Sequence, residues 1–295
     1  MRTRSNAWTP APPTVADPDP AHSSARAAEI LAGRRTVVLT GAGVSTPSGI
    51  PDYRSPGSPQ RNPMTIEQFL SSPDFRRHYW ARNHLGWRHM DAALPTAAHH
   101  AITSMQREGR VSGVITQNVD MLHLKAGTTP VLDLHGSYGR VICLTCRSAI
   151  SRYTLAERLE AANPGFADRV ASRGAIEVAP DADAVLDDTA DFVMVACAEC
   201  GGILKPDIVY FGETVPREVT DRAFGMVDDA EAMLVAGSSL TVMSGLRFVR
   251  RAWTAGIPIV IVNRGDTRGD RFAKLKIDHR CEVILPSLTA APALL

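Results

Sequence analysis

No apolar run in this 295-residue chain approaches the length a helix needs to cross a bilayer. An excess of either charge is also missing. The 32 lysines and arginines against 31 aspartates and glutamates leave a net charge of +1, which gives no electrostatic reason to expect nucleic acid or an anionic membrane as partner. The opening stretch, MRTRSNAWTPAPPTVADPDPAHSS, has basic residues but lacks the apolar segment of a secretory signal, and its prolines and aspartates do not suit a transit helix. Residues 1–24 are expected to be a disordered tail. Cysteine is scarce, with five residues, and an odd count in a chain of this size excludes the disulfide framework of a small secreted domain. There is no internal repeat. What is present, 44% hydrophobic and 21% charged residues, is an ordinary globular composition, long enough for one large core and a smaller satellite. The cytoplasm is the expected compartment.

The pattern along the chain is α/β. ARAAEILAG predicts a short helix closing on Gly33, and Thr36–Thr40 is a β-branched run that predicts a buried strand. Residues 63–110 read as helical with breaks at Pro73 and Pro95. Strands are predicted at 111–116, 131–134, 257–262 and 281–285, with extended segments at 203–211 and 228–236. Short apolar strands alternating with helices predict a Rossmann-like, doubly wound parallel sheet. Several strands end in a polar or glycine cluster: GAG, QNVD, HG, GSS and NRG. Ligands in such sheets sit beyond the carboxyl ends of the strands, so these clusters predict one large site.

Gly41-Ala42-Gly43 follows a strand, where glycine lets backbone amides approach a pyrophosphate and a following helix would offer its positive end. The spacing is not that of the dinucleotide fingerprint, since Gly49 comes too late and no acidic residue ends a second strand. Taken alone, the loop is equally a structural turn. Ser45, Ser48, Asp52, Tyr53 and Arg54 add polar and aromatic groups, and SPGSPQRNP reads as a loop able to close over a ligand.

Cys143-Leu144-Thr145-Cys146 and Cys197-Ala198-Glu199-Cys200 are two thiolate knuckles, the donor set of one tetrahedral zinc ion. With all four positions taken by sulfur, the site is structural. The 50 residues between the pairs require a small inserted module. Its acidic stretch, DADAVLDDTAD, does not suit a nucleic-acid-binding ribbon. Cys281 reads as a buried strand residue, with a ligand contact as the alternative.

Taken in order, GAGVSTPSGIPDYR, TQNVDMLH, LHGS, the four cysteines, GGILKPDIVYFGE, GSSLTV and IVNRG resemble the sirtuin family from about residue 25 onward. YWARN at 79–83 and LGW at 85–87 resemble its class II branch, which includes a mitochondrial member. The resemblance implies an NAD-binding domain over 25–140 and 203–295, with a helical part of the small domain near 60–100, and a zinc module over 141–202. It implies an enzyme that cleaves NAD, releases nicotinamide and passes the acyl group of a protein lysine to ADP-ribose.

His135 matches the family's base, and a histidine suits proton transfer near neutral pH. Asn118 and Asp120 match the pair at the nicotinamide ribose, with Gln117 beside them. Gly41, Ala42, Gly43, Ser45, Asp52, Tyr53, Arg54, Gly237, Ser238 and Ser239 are implied to hold the rest of NAD with Asn263, Arg264, Gly265 and Cys281. Val209, Tyr210, Phe211, Gly212 and Glu213 match the acyl-lysine channel, and the segments at 211–213 and 240–242 would clamp the peptide as an added strand. Tyr79 and Arg82 match a pair that addresses acidic acyl groups; on a helix they share a face, though Tyr79 could equally pack and Arg82 be solvated. Nothing assigns a role to His123. Two other functions share these residues: a protein mono-ADP-ribosyltransferase, and a non-catalytic NAD or ADP-ribose sensor. The expected partners are acyl-lysine proteins, with no nucleic acid and no membrane, and the expected state is a monomer.

Overall fold

The computed structural model describes residues 18–51, 64–172 and 189–289. Helix α1 (Pro20–Leu31) leads into strand β1 (Thr36–Thr40). Three helices follow, α2 (Ile66–Ser71), α3 (Pro73–Ala92) and α4 (Ala97–Arg107), before β2 (Val111–Thr116). The short α5 (Leu122–Lys125) precedes β3 (Val131–Asp133), β4 (Gly136–Cys143) and β5 (Ala149–Ser151). Helices α6 (Arg152–Ala162) and α7 (Phe166–Ala171) come next, and β6 (Leu204–Ile208) completes a second sheet. The chain then runs through α8 (Arg217–Asp228), β7 (Ala232–Ala236), α9 (Met243–Thr254), β8 (Ile259–Val262), β9 (Leu275–Ile277) and α10 (Cys281–Thr289).

The large sheet has the order β3-β2-β1-β7-β8-β9, and its pairings are all parallel. Strand order reverses between β1 and β7, and there the crossovers diverge to open a crevice. Successive side chains point to opposite faces. Val38, Leu234 and Val260 pack against α1, α4 and α10, while Val37, Leu39, Met233 and Ile261 pack against α8 and α9. Burial on both faces explains why these strands read as continuous apolar runs.

A separate core serves the smaller unit, where β5-β4-β6 form an antiparallel sheet packed with α2, α3, α6 and α7. Capping residues set the helix starts. Thr65 and Gln68 form a capping box on α2, Ser72 caps α3 with Pro73 at its first turn, and Thr96 caps α4. Among the described residues no helix is long and apolar enough to cross a membrane.

Three expectations change. Residues 281–285 begin helix α10 and are not a strand, because Cys281, Ile284, Leu285 and Leu288 are the buried positions, at helical spacing. The sixth strand is instead β9, three residues in which Lys276 interrupts the apolar pattern. Order begins before residue 25, since Asp19 caps α1 through the His22 amide. The small sheet also draws on Gly136–Cys143 and Leu204–Ile208, beyond the 141–202 expected for the module.

Candidate active site at the carboxyl edge of the large sheet

Four strands of the large sheet deliver their carboxyl ends to the crevice. β1 runs into Gly41, and its partner across the reversal point, β7, runs into Gly237. The Gly41 amide donates to Ala236 O (3.1 Å) and the Gly43 amide to Gly237 O (2.8 Å). Glycine is required on both sides. A Cβ on Gly43 would stand 2.8 Å from Gly237 Cα, and one on Gly237, where φ is +64°, would stand 2.5 Å from Val44 N. The glycine loop is therefore held by another loop, from far along the chain. The helix expected to follow it is absent among the described residues up to Pro51. Residues 42–44 and 46–48 each form one tight 3₁₀ turn instead. Asp52, Tyr53 and Arg54 lie outside the described residues.

At the end of β2 the Gln117 side-chain amide donates to Thr40 O (3.2 Å) and to Ser238 Oγ (2.8 Å). Asn118 Nδ2 donates to Gly41 O (3.0 Å) and Ser45 Oγ (3.1 Å), and Ser45 Oγ donates to Asp120 Oδ2 (2.6 Å). Asp120 is 3% exposed, and burial raises its pKa although the Leu122 amide also donates to it. Gln117, Asn118, Asp120 and Ser45 thus converge on the glycine loop.

His135 stands just past the end of β3. Its Nδ1 is 2.8 Å from Gln117 O, and its Nε2 is 2.8 Å from Ser244 Oγ on α9. A carbonyl only accepts, so Nδ1 carries the hydrogen, and Nε2 of the neutral ring holds a lone pair. Burial pushes the pKa of His135 down, which keeps the ring neutral. Ser244 has no sequence signal: a serine in the first turn of a helix reads as part of a cap.

Of the remaining residues, Ser239 Oγ pairs with Thr241 Oγ1 at 2.9 Å. The Asn263 side-chain amide donates to Arg264 O and Gly265 O, and Arg264 itself is exposed. Cys281 is buried beneath Val262 O, its thiol pushed up to about 12 by burial, and so remains protonated. The Val209 amide donates to His135 O (2.8 Å), which ties the segment after β6 to the end of β3. Glu213 accepts from the Tyr210 amide and pairs with buried Lys205 at 3.0 Å. Phe211 is 44% exposed and forms a single parallel bridge to Thr65. The segments expected to clamp a peptide are not plain strands, since Gly212 and Leu240 adopt left-handed backbone, φ +84° and +55°.

Tyr79 and Arg82 lie on α3. The Tyr79 ring packs on Phe69, Trp80 and Tyr210, with its hydroxyl 3.0 Å from that of Tyr138. Arg82 Nη1 is 2.9 Å from His78 Nε2. His123 has a structural place after all: its Nε2 lies 3.0 Å from Thr40 Oγ1, directly behind the glycine loop, and His99 packs edge-on against it.

The four cysteines meet in the small unit, with all four sulfurs within 4.8 Å of one another. The Cys143–Cys200 and Cys146–Cys197 sulfur pairs are 3.5 and 3.8 Å apart. Zinc–thiolate bonds of about 2.3 Å put tetrahedral sulfurs about 3.8 Å apart, so the set fits zinc. Each knuckle closes alike: the Arg147 amide donates to Cys143 O and the Gly201 amide to Cys197 O, with φ +64° and +71°.

The pattern of the Sir2 family matches residues 41–244. A Mycobacterium avium protein called NAD-dependent protein deacetylase 1 is 61% identical over 259 residues, covering 88% of this chain and 92% of that protein. A protein of the same description from Streptomyces coelicolor is 49% identical over 285 residues, covering 94% and 92%. Among solved structures, one described as Sir2 with p53 peptide and NAD+ superposes with a TM-score of 0.71 at 31% identity, covering 88% of this chain and 94% of that one. Similarity of this extent in both sequence and fold makes the chain a member of the Sir2, or sirtuin, family.

Proposed function

We propose that this protein is an NAD-dependent protein-lysine deacylase in which His135 is the general base. The observation that carries the reading is the His135 ring itself, kept neutral by burial, with its hydrogen fixed on Nδ1 by Gln117 O and a basic Nε2 that faces the Ser244 hydroxyl at the start of α9. The crevice suits NAD. Its floor is glycine backbone where any Cβ would collide, and a buried carboxylate and two amides stand beside it. When bound, NAD supplies an electrophilic ribose carbon, with nicotinamide as leaving group and ADP-ribose as acyl acceptor.

The chain's residues then divide the work. Gly41, Ala42, Gly43, Gly237, Ser238 and Ser239 would offer backbone and hydroxyl donors to phosphate. Asn263, Arg264, Gly265 and the rim of Cys281 would meet the adenosine end, and Asp52, Tyr53 and Arg54 belong to the same set by the resemblance. Gln117, Asn118 and Asp120 would orient ribose hydroxyls, and His135 Nε2 would take up a hydroxyl proton. Val209, Tyr210, Phe211, Gly212 and Glu213 would line the acyl-lysine entry, with exposed Phe211 and Val242 at its edges. The zinc set would order the small unit and take no part in the chemistry.

Acetyl is the first acyl group in this reading. The rings of Phe69, Tyr79 and Tyr210 pack within 5.5 Å of one another and favour a small uncharged group, and Arg82 is the cation that would serve a carboxylate-bearing one. The partner class is acyl-lysine on proteins, acted on by a cytoplasmic monomer. The test is a panel of acetyl-, succinyl-, glutaryl-, branched- and lipoyl-lysine peptides incubated with NAD, with nicotinamide and O-acyl-ADP-ribose followed by mass spectrometry. The reading expects both products, greatest with acetyl. Nicotinamide without the acyl product would point to ADP-ribosyl transfer, and NAD binding without turnover to a sensor; either result overturns it.

A further inference from the structure

Ser244 is buried, 8% exposed, and is the second residue of α9. Among the described residues its hydroxyl makes one hydrogen bond, 2.8 Å to His135 Nε2. Because Gln117 O fixes the hydrogen on Nδ1, Ser244 is the donor in that bond. Glycine at 245 leaves room beside the end of the Gln117 side chain: a Cβ there would stand 2.6 Å from Gln117 Oε1. Gln117 therefore works twice, holding Nδ1 with its carbonyl and tying the ends of β1 and β7 together through its side-chain amide, which donates to Thr40 O and Ser238 Oγ. The imidazole is gripped at both nitrogens, from the end of β2 and from the start of α9.

From this geometry we infer that Ser244 is a positioning residue for His135, which holds Nε2 where it can take up a proton and remains its partner afterwards. The inference rests on the reading of His135 as the base. A hydroxyl can donate or accept. Nε2 has one in-plane lone pair, so rotation about the Ser244 Cβ–Oγ bond turns the serine hydrogen off it as the proton arrives, and the hydroxyl then faces Nε2 as an acceptor. The imidazolium then donates to Gln117 O through Nδ1 and to Ser244 Oγ through Nε2. Only a proton has moved, from the hydroxyl that the base deprotonates to Nε2.

The charged ring needs such a partner. Burial disfavours it, and Arg247, one turn further along α9, opposes it as well. A hydrogen bond from a charged donor is worth more than a neutral one, and a buried N–H left without an acceptor is costly. Removing the hydroxyl therefore harms the imidazolium more than the neutral ring.

The test compares wild type, Ser244→Ala and Ser244→Thr in the zinc-loaded protein without NAD or peptide, using isotope-labelled histidine and long-range proton–nitrogen correlation spectra. Wild type should show His135 with its hydrogen on Nδ1 and a hydrogen-bonded Nε2. In Ser244→Ala the Nε2 resonance should move toward that of a free lone pair, and the His135 titration midpoint should fall. Ser244→Thr should restore both. In turnover, Ser244→Ala should lower kcat roughly tenfold, with little change in KM for NAD. Identical His135 resonances and titration in wild type and Ser244→Ala would overturn the inference, as would an unchanged kcat across the pH range. The spectra read the pair without turnover. A wild type inactive on every acyl peptide would sink the deacylase reading, while the pairing would still stand or fall on its own spectra.

Discussion

At the edge of the large sheet the Gly43 amide meets Gly237 O at 2.8 Å; in the small unit the sulfurs of Cys143 and Cys200 meet at 3.5 Å. The first contact is backbone on backbone, the second side chain on side chain. Parallel strands covered on both faces bring distant loops together at the reversal point, where backbone contacts are joined by the Gln117 and Asn118 side-chain amides, and two apolar cores stand behind them. The small unit has a three-stranded sheet and one core, and its knuckles bring four thiolates to a point. Where the fold itself supplies the geometry, the site is made of glycine; where the fold is small, cohesion comes from a metal-holding set.

Removing zinc should break this comparison most visibly. With a strong chelator, amide exchange in the knuckles and β4 should rise by about a thousandfold or more, since structural zinc contributes on the order of 10 kcal/mol in small modules. Protection in β1, β2, β7 and β8 should persist. Simultaneous loss in both regions would mean that the two are one cooperative unit.

A smaller effect, confined to the other region, is expected from Gly237→Ala. The left-handed backbone costs about 1–2 kcal/mol for a residue with a side chain. The new Cβ would also sit 2.5 Å from Val44 N, so the loop must shift. NAD affinity by calorimetry should fall at least about tenfold at unchanged zinc content. Unaltered affinity would contradict the interlocked-glycine account.

Acid should act behind the same loop. Burial lowers His99 to about 3 and His123 to about 4, against 6.5 when unperturbed. Below pH 6.5 the unfolded chain binds protons that the folded chain refuses, so stability is full above that pH and falls as pH drops toward 4 and then 3. Each histidine should remove about 2 kcal/mol by pH 5. Urea unfolding at neutral pH and at pH 5 would measure the fall, and His123→Gln should lessen it by about 2 kcal/mol. An acid-induced fall in His123→Gln equal to that of wild type would refute the buried-neutral pair.

How much of this could be read beforehand follows the same division. Thr36–Thr40 and Val111–Thr116 are strands with the expected ends: burial on both faces leaves β1 wholly apolar or β-branched, and β2 keeps that character from Val114 on although Ser112 is exposed. The knuckles are local, so their spacing was sufficient. Cys281–Leu285 reads as a strand because five residues, four of them apolar, are too short to show a helical period, and Lys276 masks β9. The partner of the glycine loop, Gly237, and the partner of His135, Ser244, are contacts made by topology, and no local pattern encodes them. Tyr79 and Arg82 were placed on one helix, but the aromatic packing around Tyr79 comes from Phe69 and Tyr210 on other elements.

The most direct test of the central claim compares wild type with His135→Ala for NAD binding and for O-acyl-ADP-ribose formation from an acetyl-lysine peptide. The account predicts closely similar NAD affinity, since the glycine loops and the Gln117, Asn118 and Asp120 side chains are unchanged, with product formation reduced by about a hundredfold or more. Product at the wild-type rate from His135→Ala would contradict it.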